Sequence, residues 1–167
     1  MQPIKQDHSI EIHIQSSNWT LIDFDIHKHC SYLIKESLFT VIKKSKNIEC
    51  IKISLLLTND NKLLKLNKKF RNKNDITNVL SFPFHKLNVA GIKNLLKSKR
   101  CIFLGDIAIS FERILNESIK YNKSIIEYFS YILIHGLLHL LSYDHVSDKD
   151  AKIMQSLETK IMKKIIF

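Results

Sequence analysis

Hydrophobic and polar positions change their period along the chain, and each change predicts an element. Ile10 to Gln15 alternate as Ile-Glu-Ile-His-Ile-Gln, which predicts a strand with one wet face and puts His13 on that face, away from any chemistry. From Phe24 to Lys44 the apolar residues Ile26, Cys30, Leu33, Ile34, Leu38, Val41 and Ile42 recur at helical steps, so an amphipathic helix opens at Asp23 or Asp25. His27 and His29 fall off its stripe and are expected in solvent. Cys50 to Leu57 reads as a second strand. Thr58-Asn59-Asp60 then caps a helix carrying Leu63, Leu66 and Phe70 toward Arg71. Val79 to Phe84 predicts a third strand, and Pro83 puts it at a sheet edge, because proline cannot donate to a ladder. Cys101 to Ser110 makes a fourth.

Between the last two strands lies a connection of roughly 16 residues, His85 to Arg100, and connections of that length are uncommon and often functional. It carries Lys86, Lys93, Lys97, Lys99 and Arg100 and no acid, and its bland reading is a basic hairpin extension. Ser124 to Leu141 is apolar nearly all round, which predicts a central helix covered on every side. Ser147 to Asp150 resembles a capping box opening a final helix with Ile153, Leu157 and Ile161 inward. Strands separated by helices, with the helical mass late, predict a single α+β domain over residues 1–167: a mixed sheet of about four strands against about five helices.

Composition narrows the class. The 167 residues are 45% hydrophobic and 25% charged, a globular balance, and a domain of this size holds its core without disulfides. Cys30, Cys50 and Cys101 show no CxxC spacing and cannot all pair, which favours a reducing compartment. No apolar run reaches the roughly 18 residues of a membrane span, and Met1 to His8 lack a signal-peptide stretch, so a cytoplasmic protein with no membrane partner is expected. The net charge of +10 suits polyanions. Lysine surfaces also arise from compositional drift, so charge alone does not choose a partner.

The sharp chemical signal is His135-Gly-Leu-Leu-His139-Leu-Leu-Ser-Tyr-Asp-His145. Residues four apart on a helix share a face, so His135 and His139 aim at one spot. A turn through Ser142, Tyr143 and Asp144 would return His145 as a third ligand. Three neutral imidazoles suit Zn²⁺ and leave one tetrahedral position for water or substrate, although nickel and copper also take imidazole. One zinc per chain is expected. The spacing matches the metzincin peptidase motif, but position 136 is Gly, so the glutamate that peptidases use as general base is missing.

Taken together, these motifs resemble the YbeY family of bacterial rRNA maturation factors. HGLLHLLSYDH is similar to that family's H-G-x-L-H-L-x-G-Y-D-H. Leu66 to Arg71 and Thr77 to Pro83 resemble its L-N-x-x-Y/F-R and T-D-V-L-S-F-P block, and Leu104 to Ile107 resemble its L-G-D-I. The resemblance implies a zinc-dependent endoribonuclease acting on single-stranded RNA in 16S rRNA 3′-end maturation and ribosome quality control, with the small ribosomal subunit and its proteins as partners. It implies metal ligands His135, His139 and His145, and Arg71 and His135 as catalytic residues, with Arg71 clamping phosphate through its planar fork. Two positions depart from the pattern. Ser142 replaces Gly, at roughly 1–2 kcal/mol if the backbone is left-handed there, and Asn78 replaces Asp. Asp106 interrupts an apolar strand and needs a partner, with Arg71 or local backbone the candidates, while Asp144 is either a ligand-orienting acid or a turn residue. The alternatives are a non-catalytic, zinc-containing ribosome assembly factor and a metallopeptidase. The oligomeric state is open.

Overall fold

In the computed structural model, which describes residues 9–42, 50–98 and 101–165, strands β1 (Ser9–Ile14), β2 (Cys50–Thr58), β3 (Val79–Pro83) and β4 (Cys101–Ser110) form one sheet in the order β1-β2-β4-β3. β1, β2 and β4 run parallel, and β3 is antiparallel to β4 at the edge, where Pro83 requires it to be. Parallel neighbours need crossovers, and helices supply them: α1 (Ile26–Ile42) joins β1 to β2. Between β2 and β4 the chain forms α2 (Asp60–Arg71), β3 and α3 (Val89–Ser98). It ends in α4 (Phe111–Lys120), α5 (Ile125–Leu140) and α6 (Asp148–Met162).

The main core lies between the sheet and α1, α5 and their neighbours, with Leu33, Leu55, Leu57, Phe129, Leu133 and Leu137 fully buried. A smaller cluster of Leu63, Leu80 and Ala108 seats α2 against the sheet. Central α5 is wrapped by β3, β4, α1, α4 and α6, which accounts for its apolar circumference. The expected caps are present: Asp25 Oδ1 accepts from Lys28 N, Asn59 Oδ1 from Lys62 N, and Ser147 Oγ from Asp150 N.

Gly105 is obligatory. Its φ is +138°, and a β-carbon there would collide with the carbonyl oxygen of Phe82, prising β3 from β4. Just before it the register of β2 on β4 slips, leaving Leu104 opposite no β2 residue.

Several expectations need correction. Two helices, α3 and α4, lie where the periodic pattern placed none. The 85–100 connection is therefore not a hairpin extension: Asn88 caps α3 by accepting from Gly91 N, and Ile92 and Leu96 bury one turn apart. Lys99 and Arg100 lie outside the described residues, as do Lys43, Lys44 and Met1 to His8. His29 is not solvated, because its Nε2 lies 2.7 Å from Ser130 Oγ and burial lowers its pKa. Phe70 is exposed and packs edge-on against Phe82. On α6 the buried stripe is Met154, Glu158 and Ile161, with Ile153 facing solvent. Among the described residues no helix is long and apolar enough to cross a membrane.

Candidate metal centre

His135 and His139 project from the last two turns of α5, one turn apart as their spacing demands. The chain then reverses in a tight C-terminal cap. Ser142 N donates to His139 O, Tyr143 N donates to Leu138 O, and Ser142 takes φ +67°. These two bonds make a Schellman motif, whose left-handed position favours glycine. Serine is therefore strained by roughly 1–2 kcal/mol, yet His145 is not displaced. One ligand atom from each of His135, His139 and His145 lies within 4.8 Å of the others.

The hydrogen bonds around the rings decide which nitrogens face inward. His139 Nδ1 sits 3.0 Å from Tyr143 O, and His135 Nδ1 sits 2.6 Å from Glu158 Oε1. A carbonyl and a carboxylate only accept, so both Nδ1 atoms carry the proton. The two rings then turn their Nε2 atoms toward each other, 3.1 Å apart. Where both are bare, they aim at one point that a cation can fill. Burial, with His135 and His145 beside it, holds His139 down to about 4, so its Nε2 keeps a lone pair. Neutral imidazoles held in one tautomer are the donor set that zinc and its neighbours accept.

Glu158 is the site residue that the sequence reading missed. It is 5% exposed on α6, with Tyr131 Oη 3.4 Å from its second oxygen. A buried carboxylate needs positive charge nearby, and a metal held by His135 would provide it. Its signal was an acid on the apolar spacing of Met154 and Ile161. Replacing Glu158 with Gln is expected to keep an acceptor for His135 while removing its charge, weakening metal affinity about 10- to 100-fold. Competition with a chromogenic chelator measures this, and unchanged affinity would refute an orienting role. Asp144, which the sequence leaves between a ligand-orienting acid and a turn residue, accepts from the backbone N of His145.

Arg71 closes α2 beside the sheet edge. Its Nη2 donates to Ser81 O at 2.9 Å, and Ser81 Oγ donates to Gly136 O at 2.9 Å. The edge-strand serine thus links the guanidinium to the residue after His135. Asn67 steadies the end of α2 by donating to Asp75 O and Asp75 Oδ1. The Arg71 side chain is exposed, and its other N–H groups make no hydrogen bond among the described residues. Asp106 is not its partner: it is exposed on β4 and makes no side-chain hydrogen bond among the described residues. Asn78 donates to Glu117 Oε2. On α3, the Lys93 ammonium lies 5.7 Å over the ring of Tyr143, whose carbonyl accepts from His139 Nδ1.

Gly136 packs onto the sheet. A β-carbon there would meet Ser81 Oγ at 3.1 Å and methyls of Ile107 and Val79 at 3.2 Å. The space at the position is already taken by the sheet, which leaves no room for a glutamate there.

The family profile described as endoribonuclease YbeY matches residues 13–166. The chain belongs to the YbeY family. It is 38% identical to the endoribonuclease YbeY of Ehrlichia canis (strain Jake) over 157 residues, covering 93% of this chain and 92% of that one. The endoribonuclease YbeY of Buchnera aphidicola subsp. Acyrthosiphon pisum is 41% identical over 128 residues, or 77% and 76% of the two chains. A solution structure of a Thermotoga maritima protein shares the fold, with a TM-score of 0.56 at 24% identity, covering 93% of this chain and 87% of that one. Of the motifs that resemble the family, the histidine run carries the cluster, and the helix ending in Arg71 is joined to it through Ser81 of the edge strand.

Proposed function

We propose that this YbeY chain is a cytoplasmic, zinc-dependent endoribonuclease that cuts single-stranded RNA during 16S rRNA 3′-end maturation and ribosome quality control, with the small ribosomal subunit and its proteins as partners. One observation carries the reading: three imidazoles converge, two of them with Nε2 atoms 3.1 Å apart. His135, His139 and His145 would hold the metal, which when bound supplies Lewis-acid stabilisation of charge growing on a phosphodiester. The chain's own groups do the rest. Glu158 and the Tyr143 carbonyl lock the ring tautomers. Arg71, fixed to the sheet edge through Ser81, offers its remaining N–H fork to a phosphate. The net charge of +10 draws the polyanion in.

The test is a defined single-stranded RNA, its duplex and a protein substrate, each with and without chelator, alongside metal analysis. Chelator-sensitive cleavage confined to single-stranded RNA is expected, with about one zinc per chain. Protein cleavage, or RNA cleavage indifferent to chelator, would overturn the reading. A non-catalytic assembly factor draws support from the lack of a carboxylate base at position 136; subunit binding without any cleavage would establish it. Arg71→Lys keeps the charge but loses the planar fork, so kcat/KM on RNA should fall about tenfold or more at normal zinc content. Equal rates would remove the clamp.

A further inference from the structure

A cavity of about 860 Å³ opens on the His135 side of the site, between α5 and α6. Rings form one wall in unbroken succession: Tyr121 stacks on Tyr128 (centroids 5.7 Å, planes 25°), Tyr128 meets Tyr131 at 6.1 Å, and Tyr131 meets His135 at 6.3 Å. Gln155, Thr159 and Met162 of α6 form the facing wall. The tyrosine wall is rigid where it is deepest. Tyr128 donates to Glu117 Oε2 at 2.6 Å, the same oxygen that Asn78 binds, and Tyr131 Oη reaches Glu158. At the outer end Tyr121 is 54% exposed. The amide of Gln155 makes no hydrogen bond among the described residues, which leaves a donor and an acceptor for a base edge.

The cavity continues into a groove of about 450 Å³ along α6, sharing Gln155, Thr159 and Lys163 with it. Lys152, Lys160 and Lys163 line that groove, and no acid does. An aromatic wall running into a lysine-lined groove matches the two chemical halves of an unpaired polynucleotide, whose bases stack on rings while phosphates follow cations. A cavity within the roughly 300–1,000 Å³ of small-ligand sites has room for one or two nucleotides.

We propose, on the reading of this chain as a ribonuclease, that the tyrosine-walled cavity is the subsite that receives unpaired bases next to the scissile phosphate, with the flanking phosphates running along Lys152, Lys160 and Lys163. Bases held in a duplex are already stacked on one another and cannot enter. The cavity therefore selects single strands, a discrimination that the metal and Arg71 do not make, since both meet only phosphate.

The test uses the full zinc-loaded chain and a short single-stranded RNA carrying 2-aminopurine, mixed by stopped flow so that binding is read ahead of cleavage. Wild type and Tyr121→Phe should quench the fluorophore. Tyr121→Ala, a change at an exposed ring, should lose the quench and bind about tenfold more weakly at unchanged zinc content, with its preference over duplex narrowed. The double variant Lys160→Gln and Lys163→Gln should flatten the slope of log affinity against log salt by about 1.4. Full quenching and unchanged affinity in Tyr121→Ala would overturn the subsite, as would a wild type that binds no single-stranded RNA. Quenching that depends on Tyr121, in a protein that never cleaves, would uphold the subsite and sink the nuclease reading. Metal-dependent cleavage with binding indifferent to Tyr121 would do the reverse.

Discussion

Replacing His139 with alanine is expected to reduce bound zinc from about one per chain to a small fraction and to lower RNA cleavage by at least 10²- to 10³-fold. His139 carries the largest share of the site. Its Nε2 faces His135, its Nδ1 is tied to the turn that presents His145, and burial keeps it neutral. Without it, two ligands remain on separate sides of the gap, and a two-histidine set does not close a zinc site. Fold loss is a separate matter, because the ring is only half-buried and its core neighbours Leu138 and Leu140 stay in place. Metal analysis, single-turnover cleavage and far-ultraviolet circular dichroism should be measured on one preparation. A folded variant with full zinc and full rate would refute the three-histidine centre.

The second large effect concerns the residue beside His135. Gly136→Glu restores the sequence pattern of a zinc peptidase, yet it is expected to destabilise the fold by more than about 3 kcal/mol and to yield no protein cleavage. The position is fully enclosed by Ser81, Ile107 and Val79, with contacts of 3.1 to 3.2 Å already at the β-carbon. Four further heavy atoms and a charge have no room, and an unpaired carboxylate between helix and sheet adds its desolvation cost. The change also pushes on Ser81, whose hydroxyl and carbonyl connect α5 to Arg71. Urea denaturation measures the first expectation and a casein assay the second. A stable variant that cleaves casein would show that the helix face at 136 reaches the metal after all.

The absence of a glutamate at 136 thus has a steric cause as well as a chemical consequence. Reading the sequence alone, one sees a peptidase motif with its base deleted. In the fold, the glycine lets α5 approach the sheet closely, and that approach sets the depth at which the histidines emerge. The small residue and the short Arg71-Ser81-Gly136 connection are parts of one arrangement.

How far the sequence could be read follows from the range of the interactions involved. Helical spacing is local, so His135 and His139 could be paired on one face from their numbers. The strands β2 and β4 declare themselves as apolar runs, and Pro83 marks an edge because its missing N–H is a property of one residue. The caps at Asn59 and Ser147 are likewise matters of three or four residues. Helix α3 escaped because only Ile92 and Leu96 bury, too few to stand out from a basic loop. On α6 Ile161 is buried as its spacing predicts, but Met154 and Glu158 are buried where Ile153 and Leu157 are expected, and that choice is decided by where α5 lies rather than by anything within α6.

What the sequence by itself determined is therefore the set of elements whose signals are contained in a few turns of chain, together with the ligand triad that one helix and its turn can present. Tertiary structure alone decided that Glu158, 23 residues away, fixes the His135 tautomer, that Arg71 is moored to an edge carbonyl, and that three tyrosines line up with the imidazoles. Those contacts join residues distant in the chain, and their geometry exists only once the sheet and helices have packed against one another.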